Sequence, residues 1–181
     1  ANNRTYNAYT YADQTDNYTQ DHYQLLYAHS FSPKLSLSGA FHYTYGRGYY
    51  EEYKADQDFA DYDLSPVLIG GNTISQTDLI RRRWLDNDFY GSTFALNYTP
   101  KNGLDFTLGG AYNEYKGRHF GEIIWAATQA AVPKNYRWYD LPATKKDFSV
   151  YTKWTQQLTN YWQSFVDIQY RNINYTINGF R

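Results

Sequence analysis

The sequence predicts an all-β chain: a long antiparallel up-and-down meander, a section of a transmembrane β-barrel with about seven strands and two long outer loops. Three observations predict it. Leu35–Tyr50 (LSLSGAFHYTYGRGYY) places Leu35, Leu37, Phe41, Tyr43 and Tyr45 on one parity and Ser36, Ser38, Ala40, His42 and Thr44 on the other. That is the period of two of a strand with one apolar and one small polar face, sustained well beyond the usual five or six residues. Aromatic residues make up 20% of the 181, with 22 Tyr, and Tyr and Trp are favoured where one end of the ring is apolar and the other wet. Tight turns also alternate along the chain with long connections, the asymmetry of an outer-membrane barrel wall.

Composition sets further bounds. The net charge of −1 gives no bulk field toward nucleic acid, and none is expected as a partner. With no Cys, disulfides, thiolate metal sites and thiol nucleophiles are excluded. The chain has no Met and no secretory apolar region at Ala1, so the expectation is a removed signal or a piece of something larger. No run of about 18 apolar residues is present, which excludes a transmembrane helix but not a barrel, whose strands are apolar at alternate positions only.

In chain order, Arg4–Tyr11 reads as a weakly alternating strand and Ala12–Asn17 as a polar turn. Tyr18–Phe31 is the next strand, with Tyr23, Leu25, Tyr27 and Phe31 on one parity. Ser32-Pro33-Lys34 turns into Leu35–Tyr50. Residues 51–83 then read as a long outer loop, acidic first and basic last, with a small hairpin around Gly70-Gly71. Trp84–Thr99 and Leu104–Lys116 are strands joined by the turn Pro100-Lys101-Asn102-Gly103. Residues 117–146 read as the second outer loop, in which EIIWAATQAAV suggests one or two helical turns. Two last strands run from about Asp147 to Leu158 and from Trp162 to Arg171, turned by Thr159-Asn160. An odd count of strands, with two edges left unpaired, reads as part of a wall.

The barrel reading makes Tyr43, Tyr45, Tyr90 and Tyr112 an aromatic belt in preference to a sugar-stacking platform. Four further groups are candidates for chemistry. Asp56, Asp58, Asp61 and Asp63 are weak hard-cation ligands: the spacing is not that of an EF-hand and its glycine is missing, so a solvated acidic loop is preferred and no metal is expected. Arg81-Arg82-Arg83-Trp84 can grip an anion by bidentate pairing with a stacked indole. The preferred reading pairs these arginines with the acidic half of their own loop, or with lipopolysaccharide phosphates near the outer rim. His119 and Glu122 have a His-x-x-Glu spacing without a second cluster, too little for zinc. Glu51 and Glu52 are adjacent, so on a strand they face opposite ways and are poor candidates for a cooperating acid/base pair. No nucleophile elbow, phosphate loop or dinucleotide fingerprint is present, so no catalytic residue, no cofactor and no enzyme activity are expected.

TDNYTQDHYQLLYAHSF (Thr15–Phe31), FHYTYGRGYYEEYK (Phe41–Lys54), DLIRRRWLDNDFYG (Asp78–Gly91) and GGAYNEYKGRHFGEIIWA (Gly109–Ala126) resemble the barrel region of TonB-dependent outer-membrane receptors of the kind common in Bacteroidetes. The resemblance covers nearly the whole chain. It implies a 22-stranded barrel closed by an N-terminal plug domain, importing a scarce nutrient such as an iron chelate, cobalamin or a glycan. It also implies a bacterial outer-membrane location. The implied partners are the rest of the barrel, the plug, the TonB complex acting through that plug, outer-membrane lipid and lipopolysaccharide, and a small-molecule ligand. In that setting Arg81, Arg82, Arg83, Trp84, His119 and Trp125 are ligand-vestibule candidates. The alternative is a soluble β-sandwich presenting tyrosines to a glycan, which expects two packed sheets. A small independent barrel would need an eighth strand, which the alternation does not supply.

Overall fold

Six of the alternating segments pair side by side, each antiparallel to the next. The computed structural model describes residues 11, 13–100 and 102–180. In chain order its strands are β1 (Asp16–Ser32), β2 (Leu35–Asp58), β3 (Val67–Ile69), β4 (Asn72–Ile74), β5 (Gln76–Tyr98), β6 (Leu104–Ala126), β7 (Tyr136–Gln157) and β8 (Gln163–Ile177). One 3₁₀ turn, Phe59–Tyr62, follows β2. The main sheet has the order β1-β2-β5-β6-β7-β8, an up-and-down meander that does not close, and β3-β4 is a separate hairpin. The expected strand at Arg4–Tyr11 lies, apart from Tyr11, outside the described residues.

Pairing register turns sequence parity into two faces. Leu35, Tyr98, Phe106 and Trp154 align across four strands, and Leu37, Leu96 and Leu108 align in the next apolar row. The row Gly39, Phe94, Gly110, Val150 follows, then Phe41, Ser92, Tyr112, Phe148, then Tyr23, Tyr43, Tyr90 and Glu114. The same strands turn small polar residues to the other face: Ser36 opposes Asn97, Ala40 opposes Thr93, and Ala111 opposes Ser149. From Leu35 to Tyr45 the apolar stretch is about 33 Å along the strand. At the tilt of about 40° usual in barrels, that is a band of about 25 Å.

The two ends of the sheet differ. Pro33-Lys34, 99–100 with 102–103, and 158–162 are tight reversals; Gly103 takes φ +74°, which a side chain would disfavour. At the opposite end 59–75 and 127–135 connect the strands. These connections are shorter than the outer loops expected at 51–83 and 117–146, because the wall strands run on into both segments. The reading of EIIWAATQAAV as helical turns is corrected: it is strand to Ala126 and irregular turn beyond. The hairpin around Gly70-Gly71 is present, with both glycines at positive φ. Register shifts at Lys54/Gln57, Ile80/Arg81 and Gly121/Glu122 gather at this same end, as bulges do at barrel rims.

No second sheet packs on the first among the described residues, apart from that three-residue hairpin, so the two-layer sandwich is not the architecture. The buried core is small. Tyr62, Leu79, Ile123, Ala126 and Val132 cluster where the long connections meet the wall, with Leu64, Tyr136 and Trp138 against them. Leu79 opposes Ala126, and both lie on the polar face's parity. The connections therefore fold over that face.

A candidate ligand-facing site beneath the long connections

Above the apolar band the wall becomes charged, and strand alternation sorts the charges. Glu51 opposes Arg82 on the apolar face's parity; Glu52 opposes Arg81 on the other. The expectation that adjacent Glu51 and Glu52 are poor candidates for a cooperating pair agrees with this geometry. Arg82 Nε donates to Glu51 Oε2 at 2.6 Å, and its guanidinium lies over the Tyr49 ring at 4.2 Å. Arg81 donates through Nε to Glu52 Oε1 at 2.8 Å and through Nη1 to the Tyr62 hydroxyl at 2.7 Å. Two of the arginines thus pair with the acidic half of their own segment.

Arg81, held by Glu52 across β2 and β5, ties the first connection to the wall through the Tyr62 hydroxyl. Tyr62 also donates to Gln57 Oε1 at 3.0 Å and meets Trp138 edge-to-face at 5.3 Å. From the second connection, Thr128 N–H donates to Thr77 Oγ1 at 3.0 Å and Tyr136 Oη to the Asp63 carbonyl at 3.3 Å. Burial raises the Glu52 pKa, but the Arg81 guanidinium and the Lys54 ammonium outweigh it and hold the carboxyl below its ordinary value. Burial pushes the Tyr62 phenol up, partly offset by Arg81.

Arg83 stands apart from its neighbours. Its Nε lies 3.9 Å from Glu52 Oε1, and its side chain is 53% exposed. Together with His119, Trp138, Tyr139 and Leu141 it lines a cavity of about 290 Å³. Arg83, Gly121 and Tyr139 form one cross-strand row on the polar face. A Cβ on Gly121 would meet the Trp138 ring at 2.4 Å and the Tyr139 ring at 2.4 Å, so the glycine clears room for both rings. His119 Nε2 lies 3.3 Å from the Tyr115 hydroxyl.

The remaining candidates disperse. Trp84 is on the apolar face's parity, stacked on Phe120 and tilted against Tyr49, with Nε1 donating to Glu122 Oε2 at 3.2 Å and Arg47 over its ring at 5.3 Å. Trp125 aligns with Ile80 and Tyr53 on that same parity, beside a cavity of about 330 Å³ that Tyr11 also lines. His119 and Glu122 face opposite ways, three strand positions apart. Asp56 receives no metal-like company: its N–H donates to Asp78 Oδ1, while Asp58 Oδ1 accepts from Gln76 and Asp61 and Asp63 are exposed. No group of three potential metal ligands converges among the described residues. Of the belt residues, Tyr43 and Tyr90 share a row with Tyr23, and Tyr43 stacks on Tyr23 at 6.0 Å. Tyr45 and Tyr112 sit one row above and one below.

Trp138, Tyr139 and Asp140 are absent from the sequence-derived candidates. Asp140 accepts from Arg118 at 2.8 and 2.6 Å and from Arg137 at 3.0 Å, and the Arg118 bond, against burial, holds its pKa below the usual range. The signal available for them was the string RWYDL, which alternates cationic, aromatic and acidic residues within a segment read as loop. No family model matches the chain, and no curated protein matches it.

Proposed function

We propose that the chain is part of the wall of an outer-membrane β-barrel transporter of the TonB-dependent kind its sequence resembles. The apolar face meets lipid, the polar face meets the lumen, and the long connections help form the ligand vestibule. The observation that carries this reading is the arrangement of the apolar face. Its apolar rows are bracketed by Tyr98, Phe106 and Trp154 at the tight-turn end and by Tyr23, Tyr43 and Tyr90 at the other. Aromatic girdles flanking an apolar band are what a barrel wall requires at its two interfaces.

The sheet edges add support. β1 and β8 each pair on one side only among the described residues, and β1 exposes Tyr23, Leu25, Leu26 and Tyr27. Further barrel strands would cover both edges. In this reading the partners are those strands, a plug domain and through it the TonB complex, outer-membrane lipid with lipopolysaccharide, and a scarce small-molecule nutrient. The wall itself performs no bond-making step; it supplies a lipid-compatible surface and positions the vestibule.

Size-exclusion of the purified chain, with and without detergent, tests the membrane assignment. Self-association in water and a monodisperse species in detergent are expected. A clean detergent-free monomer removes the assignment. In the whole receptor, deletion of 59–75 or 127–135 tests the vestibule role, and unchanged ligand affinity and uptake on both deletions would remove it.

A further inference from the structure

We infer that the cavity lined by Arg83, His119, Trp138 and Tyr139 is a subsite for a planar organic anion, an aromatic carboxylate. The inference takes its orientation from the vestibule reading, but its chemistry rests on the cavity.

The first argument is charge. On the polar face at this level, three cations gather on one carboxylate: Arg81 Nη2 at 2.6 Å, Lys54 at 3.2 Å and Arg83 at 3.9 Å from Glu52. Arg81 occupies the carboxylate with a close two-point contact and spends its remaining direction on Tyr62. Glu51 and Glu122 sit on the opposite parity, separated from the cavity by the sheet. Asp61 and Asp63 lie exposed on the connection above. Arg83 is left in excess, more than half exposed, and lines the cavity. A planar fork of N–H donors matches a carboxylate in two-point geometry.

The second argument is shape. Trp138 and Tyr139 meet edge-to-face at 5.1 Å and overlie Gly121, which stands directly opposite Arg83. They wall the cavity with rings beside Arg83. Aromatic rings next to a cation select a flat ligand carrying one negative group at its edge. A volume of about 290 Å³ is at the lower end for small-molecule sites, enough for a fused-ring acid and too little for an oligosaccharide.

The test is calorimetric titration of the full chain, in the medium that keeps it folded, with 2-naphthoate and with uncharged 2-naphthamide. Naphthoate is expected to saturate a site at millimolar concentration or below, and naphthamide to bind about tenfold or more weakly. Arg83→Gln is expected to weaken naphthoate by about the same factor while leaving naphthamide unchanged. Arg47→Gln, on the opposite face, is expected to leave both unchanged. Far-UV circular dichroism verifies that each variant keeps its strands. Equal binding of acid and amide, no naphthoate binding, or undiminished binding by a folded Arg83→Gln variant overturns the inference. The membrane reading stands or falls separately. A detergent-free monomer that still binds naphthoate through Arg83 keeps the subsite and loses the membrane, whereas a detergent-requiring chain indifferent to the carboxylate keeps the membrane and loses the subsite.

Discussion

Replacing Glu52 by Gln removes the charge that holds Arg81, whose guanidinium ties Tyr62 of the first connection to the wall. Glu52 is 8% exposed, and the Arg81 side chain is 12% exposed. Taking one partner from a buried ion pair costs about 3–5 kcal/mol, because the other charge is left uncompensated. Gln keeps one acceptor for Arg81, and Arg81 keeps Tyr62, so about 3 kcal/mol is the expected loss. The loss reaches the connection through Arg81, whose bond to the Tyr62 hydroxyl links the connection to the wall. At about 1.4 kcal/mol per decade, the opening equilibrium rises about a hundredfold. Hydrogen exchange reads this at the Leu64 amide, which donates to the Phe59 carbonyl at 2.9 Å within the connection. Glu51→Gln is the control. It breaks a pair on the opposite parity and is expected to leave Leu64 exchange unchanged. The sign of the pH dependence is fixed as well. The folded Glu52 pKa lies below its ordinary 4.5, so the stabilisation is complete above about pH 4.5 and lost as pH falls through the folded value. Exchange at Leu64 that rises less than about threefold in Glu52→Gln, or rises equally in Glu51→Gln, refutes the reasoning.

Two further outcomes follow from packing and from the band. Leu79 is 1% exposed at the centre of the small core, and Leu79→Ala is expected to cost about 2–5 kcal/mol, read as a lower urea midpoint for Trp138 fluorescence. Val150→Arg places a charge in the middle row of the apolar face and is expected to cost about 2–4 kcal/mol of folding into lipid vesicles, with Ser149→Arg on the other face costing far less; equal costs would mean that the apolar face does not meet lipid.

The lower half of the wall was legible because one solvent distinction wrote it. Between Leu35 and Tyr45 one face is apolar and the other small and polar, so the residues alternate and the strand is plain. Past Tyr50 that distinction ends. One face carries Glu51, Arg82 and Glu122, and the other carries Glu52, Arg81 and Ile123 beneath the folded connections. Neither parity is apolar, the period of two disappears, and strand reads as loop. The extra residues at Lys54/Gln57, Ile80/Arg81 and Gly121/Glu122 shift the parity further. The arginine run was legible as a place of interest, and so was its pairing with nearby acids. The cavity walls were not, because Trp138 and Tyr139 reach Arg83 only through Gly121, a partner some forty residues distant from each arginine in the chain and recognisable only once register is known.

The paired Glu51–Arg82 and Glu52–Arg81 contacts also constrain how the wall assembles. A strand displaced by one position exposes its apolar set to the wrong side, so the band itself forbids that error. A displacement by two positions restores the alternation, and the tyrosine-rich lower rows tolerate it. In one direction, such a slip of β2 against β5 would set Glu51 against Ile80 and Glu52 against Leu79. Each misplaced carboxylate would lose its guanidinium beside an aliphatic neighbour, at several kcal/mol if buried. The ionic pairs thus discriminate between alignments that the hydrophobic pattern scores alike. They act as a proofreading mark at the far end of two strands more than twenty residues long.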